Sequence, residues 1–242
     1  MEQLPSNSPM VEPAPGVSGW LPVWIKAVTK PNEQTFIEIT SSLEATSKIA
    51  FIWVFIAGTL SGLVSGLIQM VLLAAGFQSQ GFGQFSGSAG RGIGASLGAA
   101  LCGAPVIGLL SVISLAIGAA ITQWIAKLFG GTGTFEKMAY AIAAITVPVT
   151  LVAMFLTPLS AVPYLGICTG LLSAGIGLYA LFLQITAVKA VNGFGWGPAI
   201  GSVLLPGLVI GLVCACIVGV SLALLGPKIA EIFTQIQQEI AP

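Results

Sequence analysis

The chain contains no histidine and no aspartate. Charge of either sign is scarce, with eight Lys or Arg and eight Glu among 242 residues, or 7% charged, against about 25% for an average soluble domain. Sixteen charges do not cover the surface of a water-soluble chain of this size, so the composition reads as an integral membrane protein. The missing histidine removes the usual axial haem ligand, a chlorophyll-type ligand and any imidazole proton relay. No Glu, Lys or Arg falls inside the apolar stretches, where ionisable residues would mark an ion or proton path. Basic and acidic residues balance and form no basic stripe, which excludes a nucleic-acid partner.

Reactive groups are equally sparse. The four cysteines, Cys102, Cys168, Cys214 and Cys216, lie in apolar stretches. On a helix Cys214 and Cys216 point about 200° apart, so they cannot share a metal, and all four read as small buried apolar side chains. No disulfide framework and no metal site are implied. The stretch "GIGASLG" follows no strand, so it is neither a dinucleotide fingerprint nor a nucleophile elbow. No serine has a histidine or buried lysine to activate it. No catalytic residue is expected and the chain reads as no enzyme.

What is present is apolar length. The chain is 56% hydrophobic, with a mean hydropathy of +1.00. A bilayer-spanning helix needs about 20 apolar residues. Five stretches qualify, at residues 49–76, 93–126, 138–157, 164–188 and 198–225. The second is long enough to be one helix kinked at Pro105 or two segments, and splitting it would give six spans. With five spans and the N-terminus inside, Lys26, Lys30, Lys48, Lys127, Lys137 and Lys189 face the cytoplasm, while Arg91 and Lys228 lie outside. Six spans would put three of those lysines on the wrong side. The expected fold is an all-α integral membrane protein, a bundle of five transmembrane helices with interfacial amphipathic helices at both ends.

The first residues, "MEQLPSNSPMVEPAPGVSG", carry neither a basic nor an apolar leader segment, so no cleaved signal is expected. The domain reading is a Pro/Ser-rich tail at 1–19, an amphipathic juxtamembrane segment at 20–48, a transmembrane domain at 49–226 and an amphipathic tail at 227–242. Asn32 suits a helix N-cap, with Phe36, Ile39 and Leu43 on one face of the helix that follows. Trp20 and Trp24 suit the headgroup level. In the last segment Ile229, Ile232, Phe233, Ile236 and Ile240 share a face.

Glycine is abundant, with 31 residues where an average chain would have about 17. Gly58, Gly62 and Gly66 form one four-residue ladder, and Gly90, Gly94 and Gly98 another. Such ladders let a second backbone approach, either within the chain or in another copy. The polar atoms at depth are Gln69, Gln123, Gln184 and scattered Ser/Thr, expected to bond between helices.

The stretch "KLFGGTGTFEKMAYAIAAITVP" has the look of a phosphate loop. Its Gly130, Gly131 and Gly133 do not match GxxxxGK[ST], and Met follows Lys137, so no nucleotide is expected. The reading is a cytoplasmic turn. A glycine there ends one helix, Thr134 caps the next, Glu136 complements its N-terminus, and Phe135 anchors at the interface and packs on Phe36.

That order of Gly-Gly-Thr-Gly-Thr-Phe and then "ITVPV" resembles the Yip family of multi-span membrane proteins. So do "WIKAVTKPNEQTFIEIT" before the first span and "GLLSAGIGLYALFLQITAVKAVNGFGW" near the end. The resemblance covers about residues 20–225 and implies five spans with the N-terminus inside. It also implies a non-catalytic module that interacts with other proteins. Eukaryotic members meet Rab-type GTPases in the early secretory pathway. This chain lacks an Asp-Leu-Tyr-Gly-Pro element before its spans, which points to the prokaryotic type, a bacterial plasma membrane and no Rab partner.

The functional expectation is a structural or adaptor protein, assembling by helix packing with itself or other transmembrane subunits. One form of it is an accessory subunit of a photosynthetic or respiratory complex. No cofactor is expected to be ligated, although apolar grooves suit lipid, carotenoid or quinone tails. The alternative is a small-molecule transporter or channel, since Pro105, Pro148, Pro158 and Pro206 lie in or beside spans and broken helices line transporter sites.

Overall fold

The computed structural model describes residues 17–74, 93–157, 159 and 163–240. Among them are seven α-helices and no strand. Two are short, α1 (Val17–Thr29) and α2 (Glu33–Ser41). Five are long: α3 (Ser47–Ala74), α4 (Ile93–Leu128), α5 (Phe135–Leu156), α6 (Pro163–Asn192) and α7 (Trp196–Ile240). Each long helix holds a window long and apolar enough to cross a bilayer, from Ser47–Ile68 through Ala100–Leu128, Phe135–Leu156 and Leu165–Asn192 to Trp196–Ser221. The long 93–126 run makes one span, because α4 continues through Pro105. The C-terminal segment is drawn to Ile240 as a continuation of α7.

Local chemistry sets the helix ends. Asn32 holds extended backbone, and its side-chain oxygen accepts from Thr35 N at 2.7 Å to start α2. Thr134 caps α5 by accepting from Lys137 N at 3.4 Å, with Glu136 in the first turn. Gly130 at φ +85° and Gly193 at φ +67° adopt the left-handed backbone that closes α4 and α6. Gly131 N then bonds back to Ala126 O at 2.9 Å, and Gly193 N to Lys189 O at 2.9 Å.

In a bilayer, helices associate by close packing rather than by escape from water. The α3 ladder does this against α4. A Cβ at Gly58 would come 3.1 Å from the Gly108 Cα, and one at Gly62 would come 3.2 Å from the Ala104 Cα. A Cβ at Gly66 would meet the Ala100 side chain at 2.7 Å. This ladder therefore packs inside the chain. Gly98 faces open space, and Gly90 lies outside the described residues. Gly94 is helical, and its surroundings lie outside what is described.

Helix α5 is the centre, touching α1, α2, α3, α4 and α6. Its Ala139, Ala141, Ala143 and Ala144 are fully buried. The α7 span is the opposite case. It leans on α4 and α6, yet 0% of its window is buried within the chain, against 44% for α5.

One end of the bundle gathers the start of α3, the α4–α5 turn and the α6–α7 turn, and it is capped by α1 and α2. Here Trp24 and Trp20 lie edge-on to Trp53, with ring centroids 5.5 and 6.0 Å away, and Trp53 lies 4.9 Å from Tyr140. The two N-terminal tryptophans thus join an aromatic cluster. Lys26 pairs with Glu38 and Lys189 with Glu33, each at 2.5 Å, and Tyr179 Oη donates to Val28 O at 2.6 Å. The cap is therefore tied to α6 through both α1 and α2. The Lys189 ammonium also lies 4.8 Å from the centre of the Trp196 ring.

Candidate functional site

Two features of the bundle collect polar groups at depth. The first is a buried knot at the capped end. Gln123, near the end of α4, donates from Nε2 to Gly133 O at 2.7 Å and to Asn192 Oδ1 at 2.9 Å. Asn192, the last residue of α6, donates from Nδ2 to Val188 O at 3.0 Å and accepts from Gly133 N at 3.2 Å. The backbone carbonyl of Asn192 accepts from Thr132 N at 3.3 Å. Two side chains thereby satisfy the backbone of the α4–α5 turn and tie it to the α6–α7 turn. Such a knot in low dielectric is strong only when every member is paired.

The turn's glycines are demanded by this contact. A Cβ on Gly131 would lie 2.5 Å from Asn192 Oδ1, and one on Gly133 would lie 2.8 Å from Val191 O. Asn192 packs directly against both glycines of the turn. Phe135 meets Phe51, with ring centroids 6.5 Å apart, and not Phe36, which is buried in the core under α1. Thr132 is exposed and Gly133 buried.

The second feature is a cavity of about 850 Å³ between α3, α4 and α5, with Gln184 of α6 on its wall. Along α3 it runs from Val54 to Ser65 and along α4 from Ile107 to Thr122. At 1.5 Å rise per residue that is roughly 16–22 Å of a bilayer core of about 30 Å. Ser61 and Ser65 line it from α3, Ser111, Ser114 and Thr122 from α4, and Thr146 and Thr150 from α5. Ser111 donates to Ile107 O at 2.8 Å. The other six hydroxyls and the Gln184 amide have no protein partner among the described residues. Nearer the capped end the same three helices carry Trp53, Gln123 and Tyr140, all buried.

A third, smaller space of about 380 Å³ lies between α4 and α7, walled by Trp124, Leu128, Phe129, Leu205, Pro206 and neighbours. It is the apolar kind of groove suited to a lipid tail.

The sequence singled out Gln123 and Gln184 only as interhelical bonding groups, and Gln69 has no described side chain. It passed over Asn192. The signal was present in the Asn-Gly dipeptide inside the "AVNGFGW" run, a turn marker after a long helix. The cysteines differ from expectation: Cys102, Cys168, Cys214 and Cys216 all lie on the outer surface of their helices. An apolar thiol is as comfortable against lipid as in a core, so hydropathy could not separate the two places.

No group of three or more metal-ligating side chains gathers among the described residues. No curated protein and no solved structure matches the chain. A family model, that of the Yip1 domain, matches residues 25–218, a stretch that takes in the end of α1 and all five membrane-spanning windows as far as Val218. With five apolar spans and a match over most of its length, the chain belongs to the Yip1-domain family of membrane proteins.

Proposed function

We propose that this protein is a non-catalytic membrane adaptor that assembles within the bilayer with other transmembrane helices, as an accessory subunit of a larger complex. The observation that carries the reading is α7. Its most apolar window buries no residue in its own chain, and only Ala199 and Ser202 near the start of the span are buried among its described residues, while the glycine ladder of α3 is already used internally. An apolar helix held by one edge leaves a full face for a partner. The lysines at positions 26, 30, 48, 127, 137 and 189 all sit at the capped end, which supports that end facing the cytoplasm of a bacterial plasma membrane, with the N-terminus inside and the C-terminus outside.

The test uses thiols the chain already has. Cys214 and Cys216 are exposed on α7. Mild oxidation of native membranes should trap a cross-linked species that disappears in the Cys214→Ala, Cys216→Ala variant. A chain that stays monomeric, both after oxidation and on a native gel after gentle extraction, would remove the reading.

The transporter or channel reading draws support from the 850 Å³ cavity and its Gln184 wall. It requires the Trp53–Tyr140 stack to part. Uptake of small neutral solutes by proteoliposomes, increased by Trp53→Ala, would favour it, and no uptake by either protein would end it.

A further inference from the structure

We propose that the cavity between α3, α4 and α5 binds a neutral membrane lipid bearing carbonyl or hydroxyl oxygens, of the quinone or acylglycerol kind. The inference is independent of the assembly reading and concerns a different face of the bundle.

The first argument is the state of the polar groups. Serine and threonine in membrane helices ordinarily bond back to their own helix, as Ser111, Thr157, Thr169 and Thr186 do here. Ser61, Ser65, Ser114, Thr122, Thr146 and Thr150 do not, and Gln184 has no partner either. All seven face one space. Polar groups held at membrane depth without a partner are unfavourable unless something in the space pairs with them.

The second argument is charge. No Lys, Arg or Glu lines the cavity. A charged headgroup placed there would go unpaired, whereas rotatable hydroxyls and a carboxamide match neutral carbonyl, ester or hydroxyl oxygens. Val54, Leu115, Ile142 and Val147 supply the apolar walls that an acyl or isoprenoid body needs. The volume lies within the roughly 300–1,000 Å³ range of small-molecule sites.

The third argument is access. Trp53, Gln123 and Tyr140 are buried toward the capped end. On α4, Ile107 and Leu110 line the cavity and are also exposed on the outside of the bundle, 44% and 55% respectively. The space therefore opens sideways, where the surroundings are the bilayer. The ligand arrives from the membrane.

The test uses the full chain in phosphatidylcholine nanodiscs with two photoactivatable probes, a diazirine-bearing diacylglycerol and an azido-quinone. Cross-linked peptides are mapped by mass spectrometry. One probe should label the α3–α5 lining saturably, and which one does so identifies the source of the oxygens. Thr146→Val and Gln184→Leu should each weaken that binding about five- to tenfold, the effect of one lost hydrogen bond. Neither should lower the melting temperature of the ligand-free protein, since neither side chain bonds to protein. Leu208→Ala on α7 should leave binding unchanged. The proposal is overturned if neither probe saturates, or if the variants bind like the parent. It is also overturned if a cysteine at Thr146, in a chain cleared of its four native thiols, reacts with a hydrophilic impermeant reagent as fast as one at exposed Thr132. The cavity would then be a water-filled vestibule.

Discussion

The Gln123 Nε2 lies 2.9 Å from Asn192 Oδ1, joining two residues 69 positions apart while the same amide group holds the carbonyl of Gly133. The two side chains act as one unit, because removing either takes a hydrogen bond from the other and leaves a buried group of the α4–α5 turn without its partner. Gln123→Leu and Asn192→Leu should each cost about 1–3 kcal/mol. The double variant should cost clearly less than the sum. Thermal unfolding of the four proteins in one detergent measures this, and strict additivity would show that the two amides do not share a network.

The glycines of the turn should behave differently from glycines on open helix faces. Gly131→Ala and Gly133→Ala push a methyl group into Asn192 and the Val191 carbonyl, and should lose about 1–3 kcal/mol. Gly103→Ala and Gly177→Ala meet nothing within 4 Å. They should be neutral or gain up to about 1 kcal/mol from helix propensity. The same melting series ranks the four, and equal effects would contradict the packing described for the turn.

Gly108 of α4 receives α3 as closely as the α3 ladder receives α4. A Cβ there would lie 2.9 Å from the Phe55 carbonyl oxygen and would collide with the Thr59 hydroxyl. That hydroxyl is buried with no hydrogen-bond partner, so it is already confined. Gly108→Ala should therefore destabilise by about 1–3 kcal/mol, because a helix carbonyl cannot move aside as a side-chain tip can. Gly58→Ala meets the Gly108 backbone at 3.1 Å as well as the movable Ser111 hydroxyl and should fall in the same range. The fraction folded after heating, read by size exclusion, separates these outcomes.

The orientation has a direct chemical test. A cysteine at Thr132, which is exposed in the α4–α5 turn, should react with an impermeant thiol reagent from the cytoplasmic face alone. The native cysteines are first replaced, since all four lie on the outer surface. Lys127 and Lys137 flank the turn and should hold it at anionic headgroups, at about 1 kcal/mol each. Labelling from the outer face would invert the topology.

The turn from Lys127 to Lys137 shows where sequence reading holds. Thr134 as a cap and a glycine closing α4 depend on interactions within three or four residues, and both are found at those positions. Why Gly131 and Gly133 must be glycine was not legible there. The reason is Asn192, about sixty residues further along the chain, and local spacing carries no record of it. The Phe135 ring illustrates the same limit: hydropathy placed it at the bundle's end, but its neighbour is Phe51, fixed by how α3 crosses α5.

The sequence by itself determined the solvent, the number of spans and where α4 gives way to α5. Bilayer thickness sets a length of apolar run, and caps and glycines act over a few residues. Only the tertiary structure decided which small-residue faces meet, that α3 spends its glycines on α4 while α7 stays open, and that eight polar side chains from four helices converge on one cavity. In a bilayer nearly every face of such helices is equally apolar, so hydropathy cannot choose among them. The choice rests on the fit of backbone against backbone and on hydrogen bonds between residues far apart in the chain.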